Sequence, residues 1–351
     1  MVTNQSVFVQ KFEQGLQSYL RSELTPIAFC NGEMALYNLI LATKLKLGYG
    51  VSDSFGVLVP SFTFSGTVNA IVANHLTPVF ADVDDSFTLN PDAILKVDDT
   101  VKMVIPVAVY GHLPNVDLIG KYALQKGIAV IFDNAPAFGS TRNGKFTHES
   151  GFSEIYSFHA TKPFTTMEGG CAVTSDPEIW ETLCQLRDFG QFEKERGDVS
   201  IPGLNSKMQE ISAIVGLSNL NRWQDILHRR SEVIQRYDRF FTKYAAAGTL
   251  RTLKRNSDDF CTFIYYPIVL KEDADGLIQF LASHSIAARR YYTAVHTLQF
   301  YRGKYTEQDL FVTNDIKDRV VALPLHTSMS NDETDYLFTT LETYFDRNQT
   351  V

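Results

Sequence analysis

Between residues 55 and 174 the chain alternates short apolar runs with amphipathic stretches. Segments 57–60, 77–83, 101–107 and 128–133 are largely apolar throughout and end near Pro, Asp or a polar turn. That is the pattern of strands buried on both faces of a parallel sheet. Between them, 65–74, 90–96 and 116–126 have helical character. The alternation predicts an α/β domain with a mostly parallel sheet flanked by helices. In such sheets ligands sit beyond the carboxyl ends of the strands. Pro60-Ser61-Phe62-Thr63 and Asp133-Asn134-Ala135 therefore fall where a site is expected.

The flanking pattern extends this reading. A helix is expected over 34–47, strands over 155–158 and 171–173, and a long polar loop over 190–205. Helices follow over 208–220 and 223–247, then strands over 260–269 and 286–289, and a last helix over 332–346. The expected organisation is a large domain, 1–228, and a smaller C-terminal α+β domain, 229–351.

Composition narrows the function. A chain of 351 residues with 44% hydrophobic and 21% charged residues is ordinary for a soluble globular protein. Its net charge of −8 argues against a nucleic-acid or anionic-membrane surface. The N-terminus has no basic region leading into an apolar one, and no apolar run approaches the ~20 residues of a membrane-spanning helix. Four scattered cysteines (Cys30, Cys171, Cys184 and Cys261) form no CxxC pair, so a cytoplasmic protein is expected. No GxGxxG follows the early strands, which counts against a dinucleotide-binding enzyme. His159 and His296 lie far apart without an HxxxH partner, so no metal site is expected.

Four local features carry chemistry. Asp133 ends an apolar strand; it either caps the next turn or partners a buried cation such as a protonated ring nitrogen. Lys162 lies between the apolar run at 155–158 and the turn Glu168-Gly169-Gly170. It is either a solvated surface charge or a partly desolvated amine available for imine formation and proton transfer. Asn31-Gly32-Glu33-Met34 enters a helix, and amides there either simply start the helix or hold a phosphate. Phe62 and Phe64, in Pro60-Ser61-Phe62-Thr63-Phe64, are either core or stack on a flat ring.

The order and spacing of these segments resemble the DegT/StrS family of pyridoxal-phosphate-dependent sugar-nucleotide aminotransferases, of the aspartate-aminotransferase fold (fold type I). The most specific block is Ser157-Phe158-His159-Ala160-Thr161-Lys162 with Glu168-Gly169-Gly170; the runs 60–64, 78–84 and Leu323-Pro324-Leu325-His326 add to it. The resemblance implies that Lys162 forms the internal aldimine with pyridoxal 5'-phosphate and that Asp133 faces the pyridine nitrogen. It implies Phe64 as the stacking aromatic, and the amides of Gly32, Glu33 and Met34 with the Ser157 hydroxyl as the phosphate cradle. Asn205, in Gly203-Leu204-Asn205, is similar to a residue that reaches the neighbouring subunit's cofactor, which implies a homodimer with shared sites. The run Arg289-Arg290-Tyr291-Tyr292 resembles a segment near the nucleotide-sugar pocket.

The implied reaction moves an amino group from an amino acid, L-glutamate, to a nucleotide-linked keto-deoxysugar. Three departures stand out. Glu33 occupies a position where the family often has Thr or Ser, so only its backbone contact carries over. Pro136 replaces the Gln or His that touches the ring hydroxyl. The arm before Phe29 lacks the usual glycine-containing segment. Two alternatives remain open: a sugar dehydratase of the same family, in which histidine replaces the lysine present here, and a non-catalytic cofactor-binding homologue.

Overall fold

The computed structural model describes residues 5–191, 198–305 and 307–348. Among these residues ten strands run in chain order: β1 (Ile27–Phe29), β2 (Gly56–Pro60), β3 (Thr77–Ala81), β4 (Val101–Val104), β5 (Ala129–Asp133), β6 (Ser153–Ser157), β7 (Gly170–Val173), β8 (Leu250–Thr252), β9 (Tyr266–Leu270) and β10 (Val320–Leu323). The α-helices are α1 (Val7–Leu20), α2 (Gly32–Lys46), α3 (Ser65–Ala73), α4 (Asp92–Leu95), α5 (Val116–Lys126), α6 (Pro177–Arg187), α7 (Glu210–Asn221), α8 (Trp223–Ala246), α9 (Asp275–Ser283), α10 (Phe311–Ile316) and α11 (Asn331–Asn348). No helix among the described residues is long and apolar enough to cross a membrane.

The large sheet has seven strands in the order β1-β7-β6-β5-β4-β2-β3. Pairing is parallel from β3 to β6; β7 runs antiparallel to both β6 and β1. Successive strand residues feed opposite faces. Val57, Val59, Met103 and Ile131 pack with Leu36, Leu39, Val68, Ile71 and Leu183 of α2, α3 and α6. Their neighbours Leu58, Val104 and Phe132 pack with Ile94, Ile119 and Ala123 of α4 and α5. Both faces are dry, which explains why these strands read as continuous apolar runs. The α/β architecture with helices on both sides is the one expected from the sequence.

Local chemistry sets the helix ends. Asn31, Asn115 and Asp176 accept amide hydrogens in the first turns of α2, α5 and α6, and Gly127 closes α5 with φ +65°. The short β1 and helices α1, α6, α9 and α10 are additional to the elements expected from the sequence. Two expectations in the C-terminal part are corrected. The strand expected over 260–269 is only β9, because Phe263 takes φ +42° and breaks the extended run. At 286–289 there is no strand, only a single bridge between Arg289 and Ala322.

The C-terminal sheet has the order β10-β9-β8, antiparallel throughout. Helix α8 hands the chain over: Trp223 and Leu227 pack in the cluster around Phe138 and Tyr156, whereas Val233, Tyr237 and Phe241 pack against β9 and β10. The latter cluster also takes in Phe62, Val107 and Tyr110 from the first half of the chain. Buried Arg230 strengthens this junction by donating to the Thr262 and Phe263 carbonyls.

Backbone closeness fixes where α2 begins. A Cβ placed on Gly170 would lie 2.6 Å from the Gly32 N and Cα, and one on Gly32 would lie 2.6 Å from the Ser157 Cβ. Strands β6 and β7 thus press directly on the first residue of the helix. Gly170→Ala is expected to cost about 1–3 kcal/mol, the usual penalty for overpacking. Urea denaturation of the purified variant checks this; an unchanged midpoint would contradict the close approach.

Candidate active site

In the strand order, β3 and β4 leave opposite sides of β2, which creates a switch point at the carboxyl ends. A cavity of about 460 Å³ opens there, lined by Thr63 and Phe64 after β2, Val107 after β4, Asp133 ending β5 and Ser157 ending β6. A wider hollow of about 730 Å³ beside Tyr19, Thr141 and His228 lies elsewhere and contains neither Asp133 nor Lys162.

Asp133 is buried at the end of β5. Thr67 Oγ1, in the first turn of α3, donates to Asp133 Oδ2 at 2.6 Å, and the Ala135 amide donates to Oδ1 at 3.0 Å. Burial pushes the Asp133 carboxyl up, while those two donors and the Lys162 charge pull it down.

Lys162 sits on the loop between β6 and β7. That loop is closed by the Phe158 amide on the Gly169 carbonyl at 2.8 Å and the Thr166 amide on the Phe158 carbonyl at 2.9 Å. Next to the lysine, Phe164 is buried against Phe138, Phe158 and Trp223, with ring centroids 4.6, 5.1 and 5.3 Å away. The lysine is therefore carried on an anchored turn. Burial lowers its ammonium from 10.5 to about 8, with the Asp133 carboxylate acting in the opposite sense.

Asn31 caps α2 by accepting the Met34 amide at 2.8 Å. The Met34 amide, expected in the phosphate cradle, is thus engaged by the cap, and Met34 does not line the cavity. The Gly32 and Glu33 amides occupy the first two helical positions, where no intrahelical acceptor exists. Both residues line the cavity together with Ser157. The Glu33 side chain is on the cavity side, its Cδ 3.7 Å from a Cβ placed on Gly66. Burial and the nearby Asp133 raise its carboxyl above the ordinary value.

Phe64 is exposed into the same space, its ring edge 3.1 Å from a Cβ placed on Gly66. Pro136 also lines the cavity and brings no side-chain donor or acceptor. Asn205 is exposed on the loop that bridges Asp188, and it does not line this chain's cavity. His159 bonds Thr161 and His296 bonds Ser61. Among the described residues no group of three or more potential ligands could hold a metal ion.

Nothing in the local sequence pairs Thr67 with Asp133; the bond arises where the first turn of α3 meets the end of β5. Arg289, Tyr291 and Tyr292 close the cavity from the C-terminal part of the chain. Their segment was legible, but their individual roles were not.

The profile of the DegT/DnrJ/EryC1/StrS aminotransferase family matches residues 2–342. The chain belongs to that family. This aminotransferase is similar to the GDP-perosamine synthase of Escherichia coli O157:H7, with 28% identity over 98% of this chain and 92% of that protein. It is also similar to the dTDP-4-amino-4,6-dideoxy-D-glucose transaminase of Shigella dysenteriae, with 29% identity over 97% and 90% of the two chains. The crystal structure of DesI in the presence of its TDP-sugar product shares 27% identity, with a TM-score of 0.86 over 97% of this chain and 85% of that one. The aminotransferase depends on pyridoxal phosphate.

The residues present fit that cofactor. A buried carboxylate supported by a hydroxyl and an amide suits a protonated ring nitrogen; an amine of lowered basicity suits an aldehyde; two free helix-start amides beside a serine suit a phosphate. In the cofactor-free aminotransferase, labelling of Lys162 by an amine-selective acylating reagent should rise with pH around a midpoint near 8. Asp133→Asn removes the charge that favours the ammonium, so the midpoint should move lower still. Competitive labelling read by mass spectrometry tests both; a midpoint near 10.5 would rule out a desolvated amine.

Proposed function

We propose that the protein transfers an amino group from L-glutamate to a keto-deoxysugar carried on a nucleotide, using Lys162 as the cofactor-bearing amine. The observation that carries this is one cavity in which a desolvated lysine and a buried, hydrogen-bonded aspartate interact at the strand ends. The printed names of the relatives, a GDP-perosamine synthase and a dTDP-amino-sugar transaminase, support the sugar-nucleotide class. The lysine itself disfavours the dehydratase alternative, which has histidine there.

Each residue has a role in this reading. Asp133, aligned by Thr67 and Ala135, keeps the ring nitrogen protonated. The Gly32 and Glu33 amides and the Ser157 hydroxyl hold the phosphate, and Phe64 stacks on the ring. When bound, pyridoxal phosphate supplies the electron sink for the carbon that loses its proton. The Lys162 amine, mostly neutral above pH 8, is the base at that carbon and returns the proton to its acceptor. Tyr291 and buried Tyr292 supply an aromatic wall of the cavity.

We further infer a homodimer in which Asn205 reaches the partner's phosphate site. Beside Asn205, Leu204 and Phe189 are exposed, and the Phe189 amide bonds the Leu204 carbonyl. Met167, on the Lys162 loop, is exposed as well.

Two experiments follow. The purified holoenzyme should show a visible cofactor band that bleaches with L-glutamate, and borohydride should fix the cofactor on the peptide containing Lys162. Lys162→Ala should lose bleaching by on the order of 10³-fold or more; full turnover without the lysine would falsify the mechanism. Sedimentation velocity should give a dimer whose phosphate-cofactor affinity drops in Asn205→Ala. A monomer with undiminished activity would remove Asn205 from the site.

A further inference from the structure

The charges around the cavity are unevenly committed. Its lining carries three carboxylates, Glu33, Asp133 and Glu168, and two strong cations, Lys162 and Arg289. Lys162 is opposed by Asp133. Arg289 has no carboxylate within ion-pair reach among the described residues. Its neighbour Arg290 is the reverse case: it faces away and is neutralised by Asp273 at 2.6 Å and Asp275 at 2.9 Å.

Arg289 is also held in place. Its carbonyl accepts the Ala322 amide at 2.8 Å, which ties the backbone to β10. Its guanidinium carbon lies 4.7 Å from the Tyr265 ring centre and 5.1 Å from that of Tyr291. Nη2 donates to the Tyr265 hydroxyl. Tyr291 in turn stacks on buried Tyr292 at 4.0 Å. Two aromatic rings thus border the exposed guanidinium, and most of its five donors have no partner among the described residues. A planar fork with free donors suits a bidentate oxyanion.

We propose that Arg289 is the oxyanion-binding residue of the substrate pocket, taking either the carboxylate of the amino donor or the diphosphate of the nucleotide sugar. This rests on the aminotransferase reading of the cavity. Tyr265 and Tyr291 act through Arg289 as positioning residues.

The test titrates the holoenzyme with glutarate as the carboxylate probe, and with dTDP, GDP and UDP as diphosphate probes, by calorimetry. Arg289→Gln should weaken the responding probe about ten- to hundredfold, the range of a charge-assisted pair. Arg289→Lys should recover part of the loss, since it keeps the charge but not the fork. Arg290→Gln should bind as the wild type does, and a retained cofactor spectrum shows that each variant is folded. Loss confined to glutarate assigns the donor carboxylate; loss confined to a nucleotide assigns the diphosphate. Wild-type binding of no probe, or equal binding by wild type and Arg289→Gln, overturns the proposal. Bleaching by L-glutamate is followed in parallel, so a failed amino-transfer reading is seen separately from a failed anion site.

Discussion

A carboxylate at the end of a buried strand is costly to desolvate, and the arrangement around Asp133 is built on offsetting that cost. Two donors and one charge act on it from three elements: a hydroxyl from α3, an amide just beyond β5 and the nearby charge of Lys162. The lysine has the mirror-image problem, since burial favours its neutral form and only Asp133 favours the ammonium. The charge of each group favours the ionised form of the other, against burial. An amine poised near 8 can both attack a carbonyl and move a proton at neutral pH, which a solvated lysine near 10.4 does poorly.

That balance requires both side chains to stay where they are. Asp133 is fixed by the parallel register of β5 with β6, where it faces Ile155. Lys162 is fixed less directly, by the closed turn and by Phe164 in its aromatic pocket. The start of α2 is fixed by contact, with Gly32 packed between Ser157 and Gly170 at distances that admit no side chain. Three neighbouring elements thus present an acid, an amine and unpaired amides to one space without relying on long flexible chains.

The remaining wall comes from the C-terminal part. Phe62, Tyr110 and Tyr292 pack together with ring centroids 5.2–6.3 Å apart, so the two halves share one hydrophobic cluster at the cavity. Arg230 ties α8 to the Thr262 and Phe263 carbonyls in the same region. The orientation of Arg289 and Tyr291 over the site is consequently a property of this seam rather than of the parallel sheet.

The parallel strands were legible because burial on both faces leaves a local trace, a continuous apolar run ended by a polar turn. Lys162, Asp133, Phe64 and the start of α2, singled out by their order and spacing along the chain, line one cavity. The sequence by itself determined the α/β class, the strand-end location of the site and the family. It did not determine that Met34 is spent on its own cap, that Thr67 supports Asp133, or that Glu33 faces inward. Each depends on a side-chain direction or on a contact between separate elements, and neither leaves a periodic signal. The same holds for Arg289 and Arg290, adjacent and chemically identical in the chain. Only tertiary structure separates them, because one is turned to two surface aspartates and the other to a cavity floored by Asp133 and Lys162.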